Sequence, residues 1–138
     1  MNILRLWHKD LIQVLPRQQL LGQWRECCAI AKSIAEKGTP NHVLVNRIME
    51  YPISHFWCYG YLIYIEMLWR RYSPDCMRFE KWFNTLDFNV PTKDELFSNW
   101  HNDRYLHQCL ANLQEKYDCG AIPEEEWELI TDKYPEWR

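Results

Sequence analysis

The stretch GQWRECC, residues 22–28, sets an Arg25–Glu26 pair directly after a tryptophan and before two cysteines. At 100° per residue in a helix, Leu20, Trp24, Cys27, Ala31 and Ile34 form one apolar stripe, widened by Leu21, Cys28 and Ala35. Glu26 projects away from this stripe, near the angular positions of Gln19, Gly22, Ala29 and Ser33. Gly22, Ala29 and Ser33 are small, so the carboxylate has little cover and a second backbone or a ligand can approach it. Arg25 falls on the opposite polar flank, nearer Lys32 and Glu36. The same spacing also suits a solvated ion pair on a polar helix face. Gly22 costs about 1 kcal/mol relative to alanine in a helix interior, which fits a ligand or a neighbouring helix equally.

Other residues with chemical potential are arranged less suggestively. His101, Asp103 and His107 could hold a metal, but a spacing of six is poor for one helix face and no H-E-x-x-H occurs. His55 sits among aromatics, as a hydrogen-bonded buried histidine does. The six cysteines include adjacent Cys27 and Cys28, and Cys58, Cys76, Cys109 and Cys119 are scattered, with no C-x-x-C. That spacing predicts reduced cysteines packed as small hydrophobes. No metal and no cofactor is expected.

The elements that must carry these residues read as helices. The chain has 138 residues, 47% of them hydrophobic and 15% aromatic, which suits a single folded domain over 1–138 and argues against disorder. Residues 1–15 are expected to be mixed and extended. Pro16 opens a helix that runs to Lys37 and stops at Gly38-Thr39-Pro40. A short helix over 41–50 ends near Pro52, a long aromatic helix spans 54–72, and a short one covers 76–86. Residues 87–100 read as loop with a turn from Thr92. Asn102 or Asp103 caps a helix to about 118, ended by Cys119-Gly120, and Pro123 opens a last acidic helix, EEEWELI. No alternating strand is present, so the class is all-α.

The residues around the opening stretch resemble a known family. RLWHKDLIQVLPRQQLLGQWRECCAIAK (5–32) is similar to the amino-terminal part of the pyrimidine-dimer DNA glycosylases, the endonuclease V-like family, in which an aromatic residue is followed by Arg-Glu close to the chain start. HNDRYLHQCLANLQEKYDCG (101–120) resembles the family's later helix, which also runs into Glu-Lys. The resemblance implies a compact helical fold and a two-stage reaction on damaged DNA. An unprotonated α-amine attacks the sugar C1′ and displaces the base; the resulting Schiff base then permits strand cleavage by β-elimination. An α-amine titrates at about 7.7–8.0 against about 10.4 for lysine, so more of it is neutral near pH 7. On this resemblance Glu26 is the catalytic carboxylate, Met1 carries the candidate amine, and Arg25 holds or orients a phosphate.

Aligned on Arg-Glu, the family's amino-terminal residue falls near Arg5, and Gln19 and Ala29 stand where the family has a DNA-contacting histidine and arginine. Arg5, His8, Lys9 and Arg17 gather before or at the start of the first helix, and Trp7 suits either base stacking or anchoring of the arm in the core. Expected DNA contacts are therefore Arg25, Arg5, Trp7, His8, Lys9, Arg17 and Gln19. The net charge of −3 is not that of a globally basic DNA binder, so DNA affinity requires a local basic face. The Arg70-Arg71 run reads as a cap at a helix end. The chain lacks a long apolar run or a secretory signal, so a cytoplasmic protein acting on DNA and not on membranes is expected. A non-catalytic nucleic-acid- or protein-binding module on the same fold is the alternative.

Overall fold

The computed structural model describes residues 5–82 and 90–138. Its regular elements are all helical: α1 Arg17–Lys37, α2 Ile53–Trp69, α3 Met77–Glu80, α4 Asp103–Asp118 and α5 Glu124–Lys133, with 3-10 turns at Lys9–Val14, Asn46–Glu50 and Pro135–Trp137. No strand occurs among the described residues. The all-α reading therefore holds, and α1, α4 and α5 stand where proline, asparagine and glycine mark them. Pro16 and Pro123 precede the first turns of α1 and α5. Asn102 accepts a hydrogen bond from the Tyr105 N–H at 2.9 Å to cap α4. Gly38 ends α1 with a left-handed φ of 77° and donates its N–H to the Ile34 carbonyl.

Three boundaries depart from expectation, each for a local reason. The segment before α1 is not wholly extended, because Lys9–Val14 winds into a 3-10 turn capped by the His8 side chain, which accepts from the Asp10 N–H. Residues 41–50 form turns and a 3-10 segment in place of a helix. There the Asn46 side chain takes the His42 N–H at 3.0 Å, and Asn41 has a φ of 57°; Val43, Val45 and Asn46 are weak helix formers in any case. Helix α2 stops at Trp69, three residues before the expected end. Arg71 adopts a φ of 65°, and the N–H groups of Arg71 and Tyr72 return to the Leu68 and Met67 carbonyls, the paired closure that satisfies a helix C-terminus. The short helix expected over 76–86 is seen as Met77–Glu80, and its remainder lies partly outside the described residues.

The core lies between α1 and α2, with α3, the 3-10 turns and α4 around it. Trp24 is buried from α1 against Tyr64 of α2 and Phe79 of α3, at ring separations of 5.7 and 5.8 Å. Close approach of α3 to α2 depends on Gly60. A Cβ there would stand 2.2 Å from the Phe79 ring, closer than any real contact. Gly22 has no such neighbour; a Cβ would meet only the Arg25 guanidinium, at an ordinary 3.8 Å.

The amino-terminal arm, residues 5–9, is part of this core. Leu6, Trp7, His8 and Lys9 are all buried. The His8 and His101 rings lie with their centroids 5.1 Å apart, tilted by 30°. His101 Nδ1 accepts from the Lys9 N–H at 2.9 Å, which puts the proton on Nε2, an atom buried without a partner. Burial pushes the His101 pKa down to about 2, with neighbouring positive groups at His8, Lys9 and Arg47 acting in the same direction. His8 is also lowered, chiefly by burial.

Two predictions follow from this packing. Gly60→Ala should destabilise the protein by about 1–3 kcal/mol through overpacking, despite the helix propensity it gains. Gly22→Ala should stabilise it by up to about 1 kcal/mol, and urea denaturation of the two variants checks the opposite signs. A histidine whose folded pKa is depressed contributes stability above its unfolded pKa and loses it as pH falls, at about 1.4 kcal/mol per pH unit per group. The urea midpoint should therefore fall from about pH 6.5 downward. His101→Asn, which keeps an acceptor for Lys9, should fall less over the same range.

Candidate functional site

Glu26 lies on the side of α1 that meets the arm. The buried face of α1 extends beyond the apolar stripe to include Gln23 and Ile30, while Ala35, assigned to the stripe, is exposed. Glu26 borders that extension and is half-buried. The expectation that it points well clear of the core is corrected on this point: the arm supplies the cover that α1 alone does not.

The connection runs through Gln23. Its Oε1 accepts from the Trp7 N–H at 2.7 Å and lies 2.9 Å from the Tyr59 hydroxyl. Its Nε2 donates to the Arg5 carbonyl at 2.8 Å and to Glu26 Oε2 at 3.2 Å. The Tyr59 hydroxyl also lies 2.6 Å from the Trp7 carbonyl, and the Tyr105 hydroxyl donates to the Leu6 carbonyl at 2.6 Å. Main-chain groups of Arg5, Leu6 and Trp7 are thus held by side chains from α1, α2 and α4. Sequence reasoning passed over Gln23, although its place one turn before the Cys27–Cys28 pair, with Gly22 and Trp24 on either side, was visible.

Burial pushes the Glu26 pKa up. A hydrogen bond from the Arg5 backbone and the charges of Arg25 and Arg5 pull against that shift without cancelling it. Arg25 is exposed, and its guanidinium bends back over Gly22, toward the carboxylate's face and off the flank expected from its Cα direction. Arg5 stacks its guanidinium over Trp7 at 5.2 Å. Arg5, Arg25 and Glu26 are therefore brought together.

The other candidates divide. Trp7, His8 and Lys9 are buried, so none presents its side chain to a ligand in this arrangement. Trp7 anchors the arm. Lys9 Nζ donates to the carbonyls of Lys93, Asp94 and Leu96, at 2.5, 3.2 and 2.6 Å, and so ties the turn around 93–96 to the arm. Arg17 is exposed at the start of α1, nine residues or about 13.5 Å of helix from Glu26, with its N–H on Glu126. Gln19 is half-buried on the Glu26 face, its Oε1 without a partner. Met1 lies outside the described residues. Arg70 pairs with Glu66 at 2.8 Å and donates to the Leu15 and Gln13 carbonyls, so it joins the 3-10 turn to α2 as well as capping the helix end.

Arg5 also borders a groove of about 390 Å³ beside α4, lined by Leu44, Tyr105, Gln108, Asn112 and Glu115. A second hollow shares Leu44, Tyr105 and Gln108 with it and adds Arg47, Arg104 and Trp100. Arg5, Arg47 and Arg104 therefore border adjoining depressions along one flank of α4. Sequence spacing places Arg5 with the arm and does not relate it to Arg47 or Arg104.

No curated protein and no solved structure matches the chain. The family model described as pyrimidine dimer DNA glycosylase matches residues 4–80, more than half of the chain. The matched span holds the arm, the Arg25–Glu26 pair, Gln23 and Tyr59, and it stops short of α4. The chain belongs to the pyrimidine dimer DNA glycosylase family.

Proposed function

We propose that the protein is a DNA-repair glycosylase with abasic-site lyase activity on damaged or modified pyrimidines, working through an amino-terminal imine assisted by Glu26. The observation that carries this reading is the arm folded over a half-buried carboxylate flanked by two arginines. The nucleophile is the α-amine of Met1, ahead of the arm. Its lone pair attacks C1′, the C1′–N bond breaks, and the electron pair leaves with the base. Glu26, ionised, stabilises the positive charge that develops on the sugar. The C1′–O4′ bond then breaks as the nitrogen lone pair forms the C=N bond; O4′ leaves with the electron pair and takes up the proton given up by the amine, so the sugar ring opens to the Schiff base. Removal of a proton from C2′, with Glu26 as the acceptor, then expels the 3′ phosphate by β-elimination and cleaves the strand.

Arg25 and Arg5 contact the phosphates flanking the reacting sugar, and the arginine-lined depressions along α4 continue the path of the backbone. A local cation group of this kind reconciles DNA binding with a net charge of −3. The raised pKa of Glu26 suits both of its tasks. A carboxylate that is less stabilised in the free protein gains more when positive charge appears beside it, and it is a better proton acceptor than an exposed one.

With enzyme in excess over a cyclobutane-dimer or abasic-site duplex, Glu26→Gln should slow incision by about 10²–10³ while leaving DNA affinity intact. Because the folded state raises the Glu26 pKa, its ionisation opposes folding as pH rises; the Tm of Glu26→Gln should therefore equal or slightly exceed that of the wild type at pH 7. The logarithm of the wild-type rate should rise with unit slope up to the amine pKa, about 7.7–8.0. At lower pH, where Glu26 is protonated too, it should steepen to a slope of about two, and that steepening should vanish in Glu26→Gln. Arg25→Ala should weaken binding and lower the salt slope by about 1. Borohydride should trap a covalent adduct that peptide sequencing places at the amino terminus. Equal incision by wild type and Glu26→Gln would remove the catalytic role. No incision and no adduct from the wild type would favour a binding module.

A further inference from the structure

Resting on the function proposed above, we infer that Gln23 is a positioning residue, its buried amide setting the spacing between the amino-terminal arm and the Glu26 carboxylate. Gln23 is 1% exposed, and every one of its polar contacts is to the arm, to Glu26 or to Tyr59. The orientation of the amide is forced. The Trp7 N–H can be met only by the amide oxygen, and the Arg5 carbonyl only by the amide nitrogen. The second nitrogen-bound hydrogen is then directed at Glu26 Oε2. One planar group therefore ties the main chain of the arm to the reacting carboxylate, and Tyr59 holds it from the α2 side.

The arm cannot slip along α1 while this amide is in place. A one-residue shift would separate the Trp7 N–H and the Arg5 carbonyl from their partners and leave buried backbone groups unpaired. Residues 5–7 are thereby fixed relative to Glu26. The Nε2–H···Glu26 contact also favours the ionised carboxylate in the midst of its desolvation. Gln23 touches neither sugar nor base in this role; it acts through the arm and through Glu26.

Two substitutions test the assignment in the full-length protein. Gln23→Met keeps the length of the side chain and removes all of its hydrogen bonds. Gln23→Glu keeps the acceptor for the Trp7 N–H and turns an oxygen toward the Arg5 carbonyl and Glu26. Borohydride trapping on an abasic-site duplex, with enzyme in excess, should be about 10–100-fold slower in Gln23→Met, as expected for a small misplacement of reacting groups. DNA affinity should be unchanged. In Gln23→Glu the acid side of the rate–pH profile should move to higher pH, because a second carboxylate beside Glu26 opposes its ionisation. A purely structural role would lower Tm in both variants and leave the rate per folded molecule and the pH profile at wild-type values. That result overturns the assignment while the proposed function stands. Should Gln23→Met not fold, the pH profile of Gln23→Glu decides alone. A wild type that forms no adduct overturns the proposed function, and this assignment falls with it.

Discussion

A backbone segment without regular structure can be buried only if its N–H and C=O groups find partners, and residues 5–8 are such a segment. Helix and sheet ladders supply partners automatically; an irregular strap must borrow them from side chains. Here they come from Gln23, Tyr59, Tyr105 and His101, which reach the strap from α1, α2, α4 and the turn before α4. Gln23, Tyr59 and His101 are themselves buried and Tyr105 is half-buried, so their polar atoms would be destabilising without these bonds. The dependence is mutual. The packing of α1, α2 and α4 around the arm is the arrangement in which all four are satisfied, and it sets the cover over Glu26.

The distribution of positive charge follows the same logic. Lys9, Arg70 and Lys133 direct their nitrogens at backbone carbonyls of the 3-10 turn Lys9–Val14 and of the turn around 93–96. These segments are too short or too irregular to satisfy their own acceptors, and a cation with several donors closes several carbonyls at once. Arg25, Arg47 and Arg104 are exposed, with Arg5 half-buried at the edge of the α4 groove. Net charge is therefore a poor guide to the surface. Some cations hold the fold, the acidic helix α5 sits against the Lys9–Val14 turn, Arg5 and Arg25 act on Glu26, and Arg5, Arg47 and Arg104 border the α4 depressions.

Much of the helical architecture was legible because it depends on local chemistry. Pro16, Gly38, Asn102, Gly120 and Pro123 act within a turn of themselves, and their effects need no knowledge of the tertiary fold. The early end of α2 was not legible, since nothing in Arg70-Arg71-Tyr72 announces a left-handed arginine. In the sequence Gly60 merely interrupts an apolar run, and only the position of Phe79, nineteen residues on, gives it a steric function. The site divided along the same line. Glu26 and Arg25 stood out as a charged pair beside small residues. Gln23 looked like any polar helix residue, because its importance lies in groups sixteen and eighteen residues earlier. Trp7 by type suits a DNA contact or a core anchor, and it is the anchor; residue type places His8 and Lys9 on a DNA face, and their burial comes from contacts with His101, before α4, and with the turn at 93–96 that sequence spacing does not encode.

The state of Glu26 is the balance of two opposed effects, and the balance has a functional sign. Burial disfavours its charge; the Arg5 backbone, Arg25 and Arg5 favour it, and burial prevails. Complete burial would leave the carboxylate protonated at working pH and unable to stabilise a cation. Full exposure would surround it with water that screens it from a developing charge. A half-buried position beneath a strap that carries its own arginine lies between these extremes. On the proposed function, the phosphates of a bound duplex would compete for Arg5 and Arg25 and draw part of their charge away from the carboxylate, while the duplex would exclude more water. A carboxylate so placed would be most in need of a positive partner when the sugar beside it begins to supply one, which is the condition under which an electrostatic group favours the transition state over the ground state.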